Sequence, residues 1–579
     1  RSGSRLVSIG GPVFSNAMSS GAVAIDRLHY AAIPPQEPAL VSAQTSTWRK
    51  ALYWSAAAAV SALVGVVVVS RRGQTDGQRS AASPFLSPST KEMPKMAELW
   101  QTSQSADDKL KRQSDVEFAT DFVFAGAVVD IDEQQRGQTV EGFGGAFTDA
   151  AALVFAQLSP SVQSRVIEDY FGESGLGYTM GRVHINSCDF SQSSYSFDDL
   201  QDDVNLSHFD SNVQHNTQEL IPFILAAQQV LQARNRSLKM LASPWSPPAW
   251  MKNNWDMDHS RKTCLRSGLE GTWATYISKW ISAYKNHGVP IWAITIQNEP
   301  ENDAAWEACV YSPEQEADFL ASHLGPELKV AHPDVLIFAF DHNKDHIEEW
   351  AQAIYSNLEV AKYADGIAYH WYAGDGFAAI QNVHAAFPQA ILLPSEATYE
   401  RYRWHQGVTL QDGDWSFGEG YAHDILGDLN IGGVGWLDWN LLLDADGGPN
   451  HVGNFCDAAM MANDAGDDVF RHPQFYFIGH FSRYILPGSK WVKSQVANSV
   501  SYQGGPRGYG NCTQDDGLQA TSFLRPDGRI AVVALNCGDA ALDFKLKRGL
   551  DAAMCTIPPH SIQTYLLWPS EGHATVRRE

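Results

Sequence analysis

The stretch PIWAITIQNEPE at residues 290–301 joins a short apolar run to a polar tip closed by a proline. A short apolar run ending in polar residues predicts a strand. Runs of the same build lie on either side: GFGGAFTDA (142–150), MGRVHINSCDF (180–190), LKMLASPWSPPAW (238–250), VLIFAFDHNKD (335–345), ADGIAYHWYAG (364–374), AILLPSEATYE (390–400) and GVGWLDWNLLLD (433–444). Between them, segments such as SVQSRVIEDYF, ELIPFILAAQQVLQA, WATYISKWISAYKNHG and DHIEEWAQAIYSNLEVAKY carry apolar residues three and four apart, as amphipathic helices do. Strand-like runs alternating with helices predict an α/β fold, a (β/α)8 barrel over 141–470. The competitor is a doubly wound open sheet, but the glycines of GFGGAF have the wrong spacing for its phosphate turn.

Past 470 the pattern turns to alternation, with the turn Pro526-Asp527-Gly528 between two runs, and predicts an antiparallel β-sandwich over 471–568 with a tail at 569–579. Residues 118–140 are expected to lend strands to it. At the other end, residues 51–70 read ALYWSAAAAVSALVGVVVVS without a charge, flanked by Arg49, Lys50, Arg71 and Arg72. At ~1.5 Å per residue this run matches a bilayer's hydrocarbon core of about 30 Å, and it predicts a single transmembrane or signal-anchor segment. Residues 1–50 are expected to be a disordered tail and 71–117, rich in Ser, Gln, Lys, Asp and Pro, a flexible stem. Sequons at Asn205, Asn235 and Asn511 fit a lumenal catalytic part in the secretory or endomembrane system, behind a short cytosolic tail. Cys264, Cys309, Cys456, Cys512, Cys537 and Cys555 are candidates for pairing there, with connectivity open.

Composition excludes several classes. Of 579 residues, 44% are hydrophobic and 19% charged, which excludes a mostly disordered chain. The balance of 42 basic against 66 acidic residues, a net charge of −24, would repel a phosphate backbone, so no nucleic-acid partner is expected. No C-x-x-C pair, H-E-x-x-H helix, EF-hand loop or G-x-S-x-G elbow occurs, so no metal and no cofactor are expected, and no serine triad. The 18 Trp, 20 Tyr and 26 Phe suit a site with flat, ring-lined walls, as in sugar binding.

Barrel enzymes carry their chemistry where strands exit. Glu299 leaves the fourth run and Glu396 the seventh. Two carboxylates on one rigid rim are what glycoside hydrolysis needs: one protonated to serve the leaving oxygen, the other ionised to attack the anomeric carbon. At about 5–5.5 Å apart they would act with retention, and their proximity would part the two titrations and favour an acidic working pH.

The motifs GFGGAFTDAAA, RVHINSCDFS, LASPWSPPAWMK, ITIQNEPE, AYHWYAG, LLPSEAT and GWLDWNLLLDADGGPNHVGNF together resemble glycoside hydrolase family 30, especially its glucosylceramidase branch. The resemblance implies a barrel with a side β-sandwich, retaining chemistry and no metal. It implies Glu299 as acid/base and Glu396 as nucleophile, with Asp189, Trp245, Asn298, Tyr372, Trp439 and Asn454 around the sugar and Arg182 and His370 in support. The substrate it implies is a glucosylated lipid, glucosylceramide, or alternatively a β-1,6-glucan cut internally. A membrane-displayed sugar-binding protein without turnover is a third reading, from another class. No activator protein is legible. The match departs from lysosomal glucosylceramidases at His184 (Pro there), at Thr398 (Cys there) and in a shorter loop after Pro300, all of which bear on the aglycone rather than on glucose.

Overall fold

A computed structural model describes residues 95–260, 264–400, 408–500 and 509–568. The apolar run 51–70 lies outside these residues. Among the described residues no helix is long and apolar enough to cross a membrane.

The chain enters through β1 (Lys95–Ser103), β2 (Asp108–Arg112), β3 (Val116–Thr120) and β4 (Ala127–Thr139). This corrects the expected stem: from Lys95 onward the polar stretch is sheet, not solvated linker. Its sparse apolar residues suffice because Ala97 and Phe118 meet an existing apolar face containing Val129, Val532 and Tyr565. Val532 and Tyr565 of that face lie more than 400 positions away, out of reach of a local reading.

Eight parallel strands follow: β5 (Gly142–Phe147), β6 (Met180–Ile185), β7 (Lys239–Pro244), β8 (Ile291–Thr295), β9 (Leu336–Asn343), β10 (Gly366–His370), β11 (Ile391–Glu396) and β12 (Gly435–Asn440). From β5 to β11 each pairs with the next, and β12 pairs with β5. A parallel bridge from Leu392 to Gly433 joins β11 to the entry of β12, so the sheet closes and the open-sheet alternative falls. Residues of β5, β6, β10 and β12 are buried throughout, because the inner face fills the barrel and the outer face meets helices. The helix Glu270–Asn286 shows how: Trp273, Tyr276, Ile277, Trp280 and Tyr284 recur at helical spacing and are all buried. Glycine in β5 has a packing reason, since a Cβ on Gly144 would sit 2.0 Å from the Met180 carbonyl oxygen of β6.

After β12 come the hairpin β13 (Met460–Ala462) and β14 (Val469–Arg471), then the helix Pro473–Ser482. That helix packs on the helix Trp415–Asn430 of the barrel. The barrel layer therefore runs beyond 470, a second correction: the helix Pro473–Ser482 precedes the sandwich strands, which resume only at Lys490. The sandwich itself uses β15 (Lys490–Ala497), β16 (Leu518–Leu524), β17 (Ile530–Asn536), β18 (Leu542–Arg548), β19 (Asp551–Ile557) and β20 (Ser561–Leu567) together with β1–β4. Pairing of β3 with both β19 and β1 curls this sheet onto itself, so that among the described residues no long edge stays open. Disulfides join Cys264 to Cys309 and Cys512 to Cys537. Cys456 and Cys555, expected among the candidates, are buried free thiols like Cys188. Asn205, Asn235 and Asn511 are exposed.

Candidate active site

The barrel interior is layered by strand alternation. Met180, Leu241, Ala293, Phe338, Ala368, Leu393 and Leu437 form an apolar plug. Two residues further along, the same inward face turns polar: Arg182 on β6, Ser243 on β7, Thr295 on β8, His370 on β10 and Ser395 on β11. On β9 simple alternation would bring Phe340 inward. Instead Phe340 and Asp341 take left-handed backbone (φ 74° and 57°), and the pairing with β10 slips at this point. The bulge sends Asp341 into the polar layer instead. Glu316, buried, supports it by accepting the Phe340 N–H at 2.9 Å.

Asp341 is the hub of that layer. It accepts from Arg182 Nη2 (2.8 Å), Thr295 Oγ1 (2.7 Å) and Ser395 Oγ (2.6 Å), and pairs with His370 Nε2 (3.0 Å). Arg182, fully buried, also donates to Ser243 Oγ (3.1 Å), to Asn298 Oδ1 (2.8 Å) and to Glu396. Tyr372 OH donates to the other Glu396 oxygen at 2.8 Å. Glu299 stands opposite, its backbone left-handed (φ 47°), held by Asn302 Nδ2 at 2.8 Å and facing His370 Nδ1 at 3.3 Å. Strain of this kind persists only where surroundings over-determine it. A carboxylate oxygen of Glu299, one of Glu396 and a ring nitrogen of His370 lie within 4.8 Å of one another.

A family model described as the glycosyl hydrolase family 30 TIM-barrel domain matches residues 140–485, and the family's beta sandwich domain matches 505–565. The chain belongs to glycosyl hydrolase family 30. It is a glycosidase. Among relatives, it is similar to a lysosomal acid glucosylceramidase of Mus musculus, 34% identical over 76% of this chain and 83% of that protein. It is also similar to endo-1,6-beta-D-glucanase neg1 of Aspergillus fumigatus, 28% identical over 76% of this chain and 87% of that one. Among solved structures, SrfJ from Salmonella typhimurium aligns with a TM-score of 0.74 at 29% identity, covering 82% of this chain and all of that one. The endo-beta1,6-glucanase BT3312 aligns at 0.69 and 25%, with the same coverage of this chain and all of its own.

Within this family 30 barrel the residues singled out from sequence gather at one mouth. Trp245 and Trp439 stack at 5.2 Å between ring centroids, and the Arg182 guanidinium lies 5.0 and 5.4 Å from their rings. Both rings are nearly buried. Asn454 Nδ2 donates to Asp189 at 2.9 Å. Burial pushes the Asp189 carboxyl up to about 8, against that hydrogen bond, with Glu396, Glu307 and Glu299 adding to the rise. Asp341, Ser243, Thr295, Ser395, His342 and Asn302 were not singled out. The run FAFDHN did carry the signal, a strand exit ending in polar residues, but the bulge that aims Asp341 is not encoded in any period.

One expectation is reversed. Burial pushes the Glu299 carboxyl up, yet the hydrogen bond with His370 and the charges of His342 and His370 outweigh it and hold it down at about 2. Burial alone would neutralise His370, but the charges of Glu396 and Asp341 carry it up to about 9. The free site therefore stores its mobile proton on His370, 3.3 Å from Glu299, and not on Glu299 itself. Proximity of the two glutamates was expected to set this; the imidazole between them sets it instead.

Proposed function

We propose that the chain hydrolyses the β-glucosyl bond of glucosylceramide with retention, through a covalent glucosyl-enzyme. The observation that carries retention is the approach of Glu299 and Glu396 within 4.8 Å, near the carboxyl spacing of about 5–5.5 Å that leaves no room for an inserted water. Glu396 is the nucleophile: Arg182 donates to one of its oxygens and Tyr372 to the other, which fixes the carboxylate's orientation. Glu299 is the acid/base, receiving the proton kept on His370 Nδ1 and passing it to the leaving oxygen. As Glu396 becomes an ester its negative charge disappears, and with it a main support of the His370 charge, which favours release of that proton toward Glu299. Glu299, ionised again after the first step, then takes a proton from the attacking water. Asp189, Asn298, Trp245, Trp439 and Asn454 bind glucose.

The likeness to the mouse glucosylceramidase supports the lipid substrate and a lumenal or lysosomal setting, and the uncharged sequence of residues 51–70 supports a membrane anchor. A second reading, internal cleavage of β-1,6-glucan, is favoured by the likeness to the fungal and BT3312 glucanases. Incubating the purified chain with fluorescent glucosylceramide, galactosylceramide and β-1,6-glucan separates them. Release of glucose from the first alone is expected; turnover of glucan alone would replace the reading. Glu396→Gln is expected to lower kcat by roughly 10³-fold or more while sugar binding persists; an unchanged kcat would remove Glu396 from its role.

A further inference from the structure

Beside the sugar site, three side chains from separate loops converge without satisfying one another. Asp258 lies after β7, Glu307 after β8 and His451 after β12. One ligating atom of each lies within 4.8 Å of the others. Glu307 is only 1% exposed, and among the described residues neither of its oxygens finds a hydrogen-bond donor. A buried carboxylate left bare costs several kcal/mol, so it calls for a cation.

His451 is set to help supply one. Its Nδ1 lies 3.0 Å from the Ser191 carbonyl oxygen, which can only accept, so Nδ1 carries the proton. The lone pair of a neutral ring is then on Nε2, which is buried, has no hydrogen-bond partner among the described residues and faces Glu307 at 3.6 Å. That distance is too long for a hydrogen bond. An imidazole whose far nitrogen donates to a backbone carbonyl is the usual arrangement of a metal-bound histidine. The nearby ammonium of Lys252 does not fill the gap. Its three donors are spent on the carbonyls of Met257 (2.6 Å), His259 (2.6 Å) and Ala308 (2.7 Å), which fix the backbone around Asp258 and Glu307.

We propose that Asp258, Glu307 and His451 bind one divalent first-row metal ion, of the Zn²⁺ or Mn²⁺ class, at the rim of the sugar site. Two carboxylates and one imidazole suit such borderline ions better than Mg²⁺ or Ca²⁺, which prefer oxygen alone. Bonds of about 2.0–2.2 Å require the three side chains to draw in slightly, and water completes the shell. The spacing along the chain forms no metal motif because each ligand comes from a different barrel loop.

The test uses the full chain, stripped with a chelator and dialysed, then titrated with Zn²⁺, Mn²⁺ or Ca²⁺ by calorimetry and assayed for metal per chain. One equivalent of Zn²⁺ or Mn²⁺ is expected, bound at least tenfold more weakly by Glu307→Gln and by Asp258→Asn. Asp258 is the more exposed of the two, so its variant carries the test if Glu307→Gln does not fold. Co²⁺ loaded in place of the native ion should change its visible spectrum in His451→Gln. No binding of any ion, Ca²⁺ bound in preference to the others, or a full equivalent kept by both carboxylate variants would overturn the proposal.

Discussion

His370 touches Asp341 with one nitrogen and Glu299 with the other, and its charge depends on both and on Glu396. Removing the Asp341 charge should therefore be felt twice. Asp341→Asn leaves Arg182 and His370 buried with one anion fewer, at a cost of about 3–5 kcal/mol in denaturant unfolding. It also withdraws a main support of the His370 charge, so the alkaline limb of kcat/KM, set near 9 or below in the native chain, should move to lower pH. An unmoved limb would show that the proton is not kept on His370. The stability sign agrees. A histidine raised from 6.5 to about 9 contributes stability that is full below about pH 6.5 and gone once pH has risen through about 9. Asp189, raised to about 8, adds a loss of its own as pH rises from about 4 to about 8, because its unfolded carboxyl ionises over that range while its folded one resists.

At the scale of the element, β9 departs from regular strand backbone at Phe340 and Asp341, and the departure is functional. The bulge at Phe340 and Asp341 exposes a backbone N–H to the barrel wall, and Glu316 from the neighbouring helix Pro313–Phe319 accepts it. Burial pushes the Glu316 carboxyl up to about 8, so the acceptor is a neutral acid near neutral pH. Glu316→Gln keeps an acceptor of the same shape and should be nearly silent. Glu316→Ala leaves the amide unpaired and should cost about 1–3 kcal/mol. It should also lower kcat, with KM little changed, because the side chain it misplaces positions Arg182 and His370 rather than sugar. Equal effects of the two substitutions in thermal unfolding and in kcat would refute this role.

Over the whole molecule, barrel and sandwich meet along the helix Pro473–Ser482. There His480, fully buried, bridges Thr564 Oγ1 of β20 at 2.8 Å and Thr102 Oγ1 of β1 at 2.9 Å. Burial, with help from Arg483, holds the imidazole down at about 3. The unfolded chain takes up that proton near 6.5 and the folded chain does not, so stability present above about pH 6.5 is lost as pH falls toward 3. The loss from this one group reaches about 3 kcal/mol by pH 4. His480→Gln keeps a polar bridge without the titration and should flatten the fall of Tm between pH 6.5 and 4. An unchanged slope would assign the acid sensitivity elsewhere. For a glycosidase proposed to work in an acidic compartment, this seam sets a lower bound on its working pH.

The barrel was legible because its strands and helices repeat on the two periods that local sequence expresses, and because each strand exit ends in residues of unlike polarity. Glu299 and Glu396 were legible for the same reason: each ends an apolar run directly, where a barrel must present it. Arg182, two residues past Met180, follows from alternation. Asp341 does not, because a bulge breaks the period at that point, and Lys95–Thr120 does not, because its apolar partners lie more than 400 positions away in β17 to β20. Where the proton rests, on His370 and not on Glu299, follows from the sum of charges at distances of 3–4 Å, and only the closed barrel brings those charges together.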